Sequence, residues 1–67
     1  MQNTYTVTGM TCQHCVASVT EEVGAIPGVT EVLVDLASGA VSVTSETELD
    51  PKAVAEAVEE AGYELVP

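Results

Sequence analysis

Val29-Thr30-Glu31-Val32-Leu33-Val34-Asp35-Leu36-Ala37-Ser38-Gly39-Ala40-Val41-Ser42-Val43 lies near the middle of the 67-residue chain. Between Val29 and Leu36, polar and apolar residues alternate. Val32, Val34 and Leu36 point one way, and Glu31, Leu33 and Asp35 point the other. Ala37-Ser38-Gly39 is a short turn, and Val41 and Val43 resume the alternation. Two strands joined by so short a loop form an antiparallel hairpin.

On the N-terminal side of this hairpin, the period changes from two to three or four. Val16, Val19, Val23 and Ile26 mark one face of a helix running from about Gln13 to Ala25, with Ser18, Glu21 and Glu22 on the other side. Gly24 and then Pro27-Gly28 are expected to stop it. Further back, Thr4-Tyr5-Thr6-Val7-Thr8 reads as a strand that ends at Gly9. On the C-terminal side, Asp50 suits an N-cap and Pro51 the first helical position. Leu49 can pack on Val54 as a hydrophobic staple. Val54, Val58 and Ala61 form an inward stripe, Gly62 ends the helix, and Tyr63-Glu64-Leu65-Val66 is a last strand. The order strand, helix, strand, strand, helix, strand predicts an α+β, ferredoxin-like βαββαβ sandwich: a four-stranded antiparallel sheet with two helices on one face. Thr6, Thr8, Glu31, Asp35, Ser42 and Thr44 suit the opposite, wet face, where Leu33 is a lone misfit.

The length predicts one domain, residues 1–67. A chain this small buries only about 60% of its unfolded surface, so a surface site is expected before a deep cavity. The hydrophobic fraction is 46%, but Tyr5 and Tyr63 are the only aromatic residues, so valine must build the core. Eleven acidic residues against the single base Lys52 give a formal charge of −10. Such a surface disfavours nucleic acid and anionic lipid. No apolar run is long enough to span a membrane. The start, Met1-Gln2-Asn3-Thr4, has neither a basic region nor an apolar stretch, which argues against a signal peptide and for the cytoplasm. The chain begins just before its first strand and stops just past its last, so a free-standing protein is expected in preference to a domain cut from an ATPase.

Two cysteines spaced C-x-x-C, Cys12 and Cys15, then read as metal or redox chemistry and not as a structural staple. They straddle the junction between loop and helix, where a helix N-terminus carries partial positive charge and unpaired N–H groups. Both favour thiolate, which is at once the nucleophile and the metal ligand. A closed zinc site wants four protein ligands, whereas Cu(I) is soft and content with two or three thiolates. Three uses remain open: Cu(I) carriage, binding of Zn, Cd or Hg, and thiol–disulfide exchange with Cys12 as nucleophile. Soft ligands in low number tilt the choice toward Cu(I); position 11 is threonine, and the nearest acid in sequence is Glu21. The lack of a tryptophan beside the motif and the short chain speak against the thioredoxin-like use.

Gly9-Met10-Thr11-Cys12-Gln13-His14-Cys15 resembles the G-M-x-C-x-x-C signature of the heavy-metal-associated domain family. Gly28-Val29, the hairpin from Leu36 to Val43, and Ala61-Gly62-Tyr63 fall where that family has similar residues. The resemblance implies a Cu(I) metallochaperone, not an enzyme, that delivers copper by ligand exchange to a copper-transporting P-type ATPase. It implies Cys12 and Cys15 as ligands, Met10 as a packing residue under the loop, and Tyr63 beside the loop with its hydroxyl near the sulfurs. Tyr63 can equally be an ordinary aromatic covering the core edge. His14 is expected on the surface; its functional version is an extra ligand in a metal-bridged homodimer, or a group tuning the thiolates with pH. Basic residues near the loop, present in some relatives, are missing here. Partner choice is expected to differ accordingly.

Overall fold

The computed structural model describes residues 1–66. Its elements are β1 (Gln2–Thr8), α1 (Gln13–Gly24), β2 (Val29–Asp35), β3 (Ala40–Ser45), α2 (Pro51–Glu60) and β4 (Glu64–Val66). The strands form one sheet in the order β2-β3-β1-β4, with every neighbouring pair antiparallel. This is the expected ferredoxin-like arrangement.

Valine is the reason one face is covered. Val41 and Val43 of β3, Val19 and Val23 of α1, and Val54 and Val58 of α2 are all at 0% exposure and belong to one cluster with Val7 and Leu49. Each fully buried aliphatic side chain stabilises the fold by about 1.5–3 kcal/mol relative to exposure. Both helices therefore lie on the sheet face that carries Val7, Val41 and Val43. On the other face Thr4, Thr6, Thr8, Glu31 and Asp35 are exposed, as is Leu33 at 56%. Among the described residues, no helix is long and apolar enough to cross a membrane.

Several local expectations are revised. Strand β1 begins at Gln2, which pairs with Thr44, so it is longer than Thr4–Thr8. Leu36 lies in the turn and not in β2: the Gly39 N–H donates to the Asp35 carbonyl at 2.8 Å, and the Asp35 carboxylate accepts the Ala37 N–H at 3.0 Å. The loop thus closes one residue earlier than the alternation suggests. Gly24 is the last residue of α1 and keeps a helical φ. The stop comes instead from tight turns, with the Ala25 N–H bonded to Glu22 O and the Ile26 N–H to Val23 O, followed by Pro27. The buried stripe of α1 is Cys15, Val19 and Val23, while Val16 is half-buried. Ala57 joins Val54 and Val58 as a buried residue of α2, and Ala61 is half-buried.

In β2, Val29 pairs with Ser45 but Glu31 pairs with Thr44, which leaves Thr30 as an extra residue. This bulge explains how Val29 and Val32, three apart, both pack on the core although a regular strand would send them to opposite faces.

Candidate metal centre

Cys12 is the N-cap of α1, in extended conformation, and its side chain makes no capping hydrogen bond. Its carbonyl accepts the N–H groups of Cys15 at 3.0 Å and Val16 at 3.3 Å, which starts the helix. Cys15 therefore stands at the third helical position, and one helical turn brings its Sγ to 3.7 Å from Cys12 Sγ. Cys12 is exposed and Cys15 is buried at 9% exposure. The burial of Cys15 follows from the inward stripe it begins.

The Cys15 thiol is lowered to about 6. The largest cause is the backbone N–H of Thr11, followed by the Tyr63 hydroxyl; burial opposes them, and the Cys12 N–H and the Thr11 hydroxyl add to the lowering. Thr11 Oγ1 lies 3.8 Å from Cys15 Sγ. In a capping box, a carboxylate at the third helical position reaches back to the N-cap N–H. Here the Cys15 sulfur takes that place, and a thiolate suits it better than a thiol because it accepts without competing as a donor. The Tyr63 hydroxyl is raised, first because it donates to Cys15, then by burial and by the negative charge of the two cysteines.

Tyr63 reaches this position through the end of α2. The Gly62 N–H donates to Glu59 O at 2.9 Å and the Tyr63 N–H to Val58 O at 3.1 Å, with Gly62 at φ +94. This is a Schellman closure with glycine at its left-handed position. Met10 is half-buried and packs on the core. His14 is exposed on the first turn of α1. Among the described residues, no group of three or more His, Cys, Asp or Glu gathers to hold a metal ion.

Two contributors escape a reading by side-chain type. Thr11 acts chiefly through its backbone N–H, which no residue preference reveals. Gly9 has φ +96, and a Cβ there would meet Tyr63 Cδ1 at 3.2 Å. Its only signal in the sequence is a glycine directly before Met10.

The donor set is soft, paired and open on one side. With thiolate–metal bonds of about 2.3 Å, one ion can touch two sulfurs as far apart as about 4.6 Å. The observed 3.7 Å meets that condition. Two protein donors leave room for a ligand from outside.

Comparison with known proteins finds relatives along nearly the whole chain. The copper chaperone CopZ of Bacillus subtilis (strain 168) is 42% identical over 65 residues, which cover 96% of this chain and 94% of that protein. A probable copper-exporting P-type ATPase of Archaeoglobus fulgidus is 39% identical over 67 residues, 98% of this chain but 8% of the ATPase. The solved structure of a CopZ metallochaperone superposes with a TM-score of 0.91 at 34% identity, covering 98% of this chain and 100% of that one. The family model described as heavy-metal-associated domain matches residues 4–64. On that match and on a relative 42% identical nearly end to end, the chain belongs to the heavy-metal-associated domain family.

Proposed function

We propose that the protein carries one Cu(I) between the thiolates of Cys12 and Cys15 and passes it to a copper-transporting P-type ATPase in the cytoplasm. The observation that carries this reading is the pair of sulfurs 3.7 Å apart at a helix start that no carboxylate caps. Cu(I) favours soft ligands in low number, and Zn(II) would lack half of its usual protein ligands here. The likeness to a copper chaperone along nearly its whole length, and to a short part of a copper-exporting ATPase, supports both the cargo and the receiver.

The copper is cargo, and its transfer exchanges one thiolate for another. An incoming thiolate bonds to the ion, the bond to exposed Cys12 breaks, a second incoming thiolate bonds, and the bond to Cys15 breaks last. No electron moves, and charge is conserved at each exchange. Cys12 is exposed and so is reached first, whereas the buried Cys15 sulfur is shielded from the incoming thiolate and leaves last. Met10 supports the loop from beneath without ligating. At copper excess, exposed thiolates of two chains bridge through shared Cu(I) into a homodimer, detectable by sedimentation as copper is added.

The deciding experiment is competition against a chromogenic Cu(I) chelator under anaerobic conditions. The wild type retains copper and the Cys12→Ser/Cys15→Ser variant yields it; equal retention by both sinks the proposal. Parallel competition with Zn(II) should show weaker binding than with Cu(I).

A further inference from the structure

The ladder between β1 and β4 pairs Thr6 with Val66, Val7 with Leu65 and Thr8 with Glu64. The next position in this register sets Gly9 opposite Tyr63. The pairing is held up to that point, since Thr8 Oγ1 donates to the Glu64 carbonyl at 3.3 Å. From the other side, the Schellman closure at Gly62 fixes the Tyr63 backbone to the end of α2. The Tyr63 ring therefore has a fixed root, and its flank meets the bare backbone of Gly9. A Cβ at position 9 would stand 3.2 Å from Tyr63 Cδ1, close enough that the ring would have to give way by a few tenths of an ångström. Gly9 is also where β1 passes into the metal loop, one residue before Met10 and two before Thr11, whose hydroxyl is 3.8 Å from Cys15 Sγ.

From this geometry we infer that Gly9 is a positioning residue of the metal loop and acts through Tyr63. The missing side chain makes the seat that the ring fills, and the filled seat anchors the entry to the loop and so the placement of Cys12 and Cys15. This rests on the reading of those two cysteines as the copper ligands. The glycine is required for two separable reasons. Its φ of +96 strains any L side chain, which affects folding; its open side admits Tyr63, which affects the loop.

A double-mutant cycle separates the two. Cu(I) withdrawal by a chromogenic chelator is timed for the wild type, Gly9→Ala, Tyr63→Ala and the double variant, with thermal midpoints alongside. Each single change should accelerate withdrawal by about threefold to tenfold, which lies inside the span of about twofold to 150-fold that coupling between touching residues covers. The double variant should release copper no faster than the faster single variant, while Gly9→Ala lowers the thermal midpoint in either background. If the two accelerations multiply in the double variant, Gly9 acts through backbone strain alone and the inference fails. The apo protein gives a second reading. The Gly9 α-hydrogen on the side of the ring should show a ring-current NMR shift that disappears in Tyr63→Ala; an α-hydrogen whose shift is the same in the wild type and in Tyr63→Ala overturns the seat. If Cys12→Ser/Cys15→Ser binds Cu(I) as well as the wild type, the copper reading falls. The same cycle on Cys15 alkylation in the apo protein then still decides the pairing of Gly9 with Tyr63: non-additive rates uphold it, multiplying rates overturn it.

Discussion

At the start of α2, the Asp50 carboxylate accepts the Lys52 N–H at 2.9 Å, Pro51 removes another donor, and Leu49 is buried beneath the turn. At the start of α1, the same position is held by Cys12, which caps nothing, and the first turn carries no acid. Both helices begin with unpaired N–H groups and a positive pole. In α2 a permanent carboxylate meets that need within the fold. In α1 the task falls to sulfur: backbone N–H groups from Thr11 and Cys12 converge on Cys15. A thiolate there does what a carboxylate does for the helix, and it can also hold a soft cation. The region that the fold leaves without a cap is the region open to an exchangeable ligand.

The strongest way to break this contrast is to make α1 start as α2 does. Cys12→Asp should give α1 a side-chain cap and raise stability by about 0.5–2 kcal/mol. It should also weaken Cu(I) binding by more than about a hundredfold, beyond the 10–100-fold cost of losing an outer partner of a metal ligand. Urea unfolding and chelator competition measure the two effects, and a variant that kept wild-type copper affinity would refute the division of labour. A smaller effect lies at Cys15. Its alkylation rate should rise with pH around a midpoint near 6, and Tyr63→Phe should move that midpoint upward, because the hydroxyl is one of the groups holding the thiol down. Removal of the Thr11 hydroxyl by Thr11→Val should move it less, since that hydroxyl is the last of the causes and the backbone N–H remains.

The folded protein keeps Cys15 as thiolate down to about pH 6, whereas an unfolded chain protonates it below the ordinary thiol value of 9.0. The thiolate therefore stabilises the fold fully above pH 9, and this contribution is lost as the pH falls toward 6. Apo stability followed by urea unfolding between these limits should slope upward with pH, and the slope should flatten in Cys15→Ser. The smallest change is the converse test at the other helix. Asp50→Ala should cost about 1 kcal/mol and lower the thermal midpoint by about 4–8 °C, with copper affinity unaltered. Loss of copper affinity in that variant would mean that the two helix starts are not independent.

What the sequence reveals follows the range of each interaction. Asp50, Pro51 and the C-x-x-C pair act within a few residues of themselves, so their roles are readable in place. The hairpin is readable because β2 and β3 adjoin. The bulge at Thr30 is not, because it appears only when Val29 and Glu31 are matched to Ser45 and Thr44. The contact of Gly9 with Tyr63 joins residues at opposite ends of the chain. Only family resemblance places Tyr63 beside the loop, since it arrives there by way of Gly62 and the end of α2. Thr11 stayed hidden for another reason: the direction of a backbone N–H leaves no trace in residue type. Cys15 was legible as a candidate ligand but not as the first member of the buried stripe of α1.

One further consequence belongs to β2, one of the two outer strands of the sheet. An outer strand offers free N–H and C=O groups to any passing copy of the same chain. If two copies met there antiparallel, with Leu33 beside Leu33, each Glu31 would face the other copy's Asp35, and like charges set opposite each other disfavour the pairing. The exposed leucine, which alone would invite stacking into fibrils, is thus guarded by its own neighbours. A crowded solution of this protein should resist aggregation along that edge, and Glu31→Thr combined with Asp35→Thr should remove the guard.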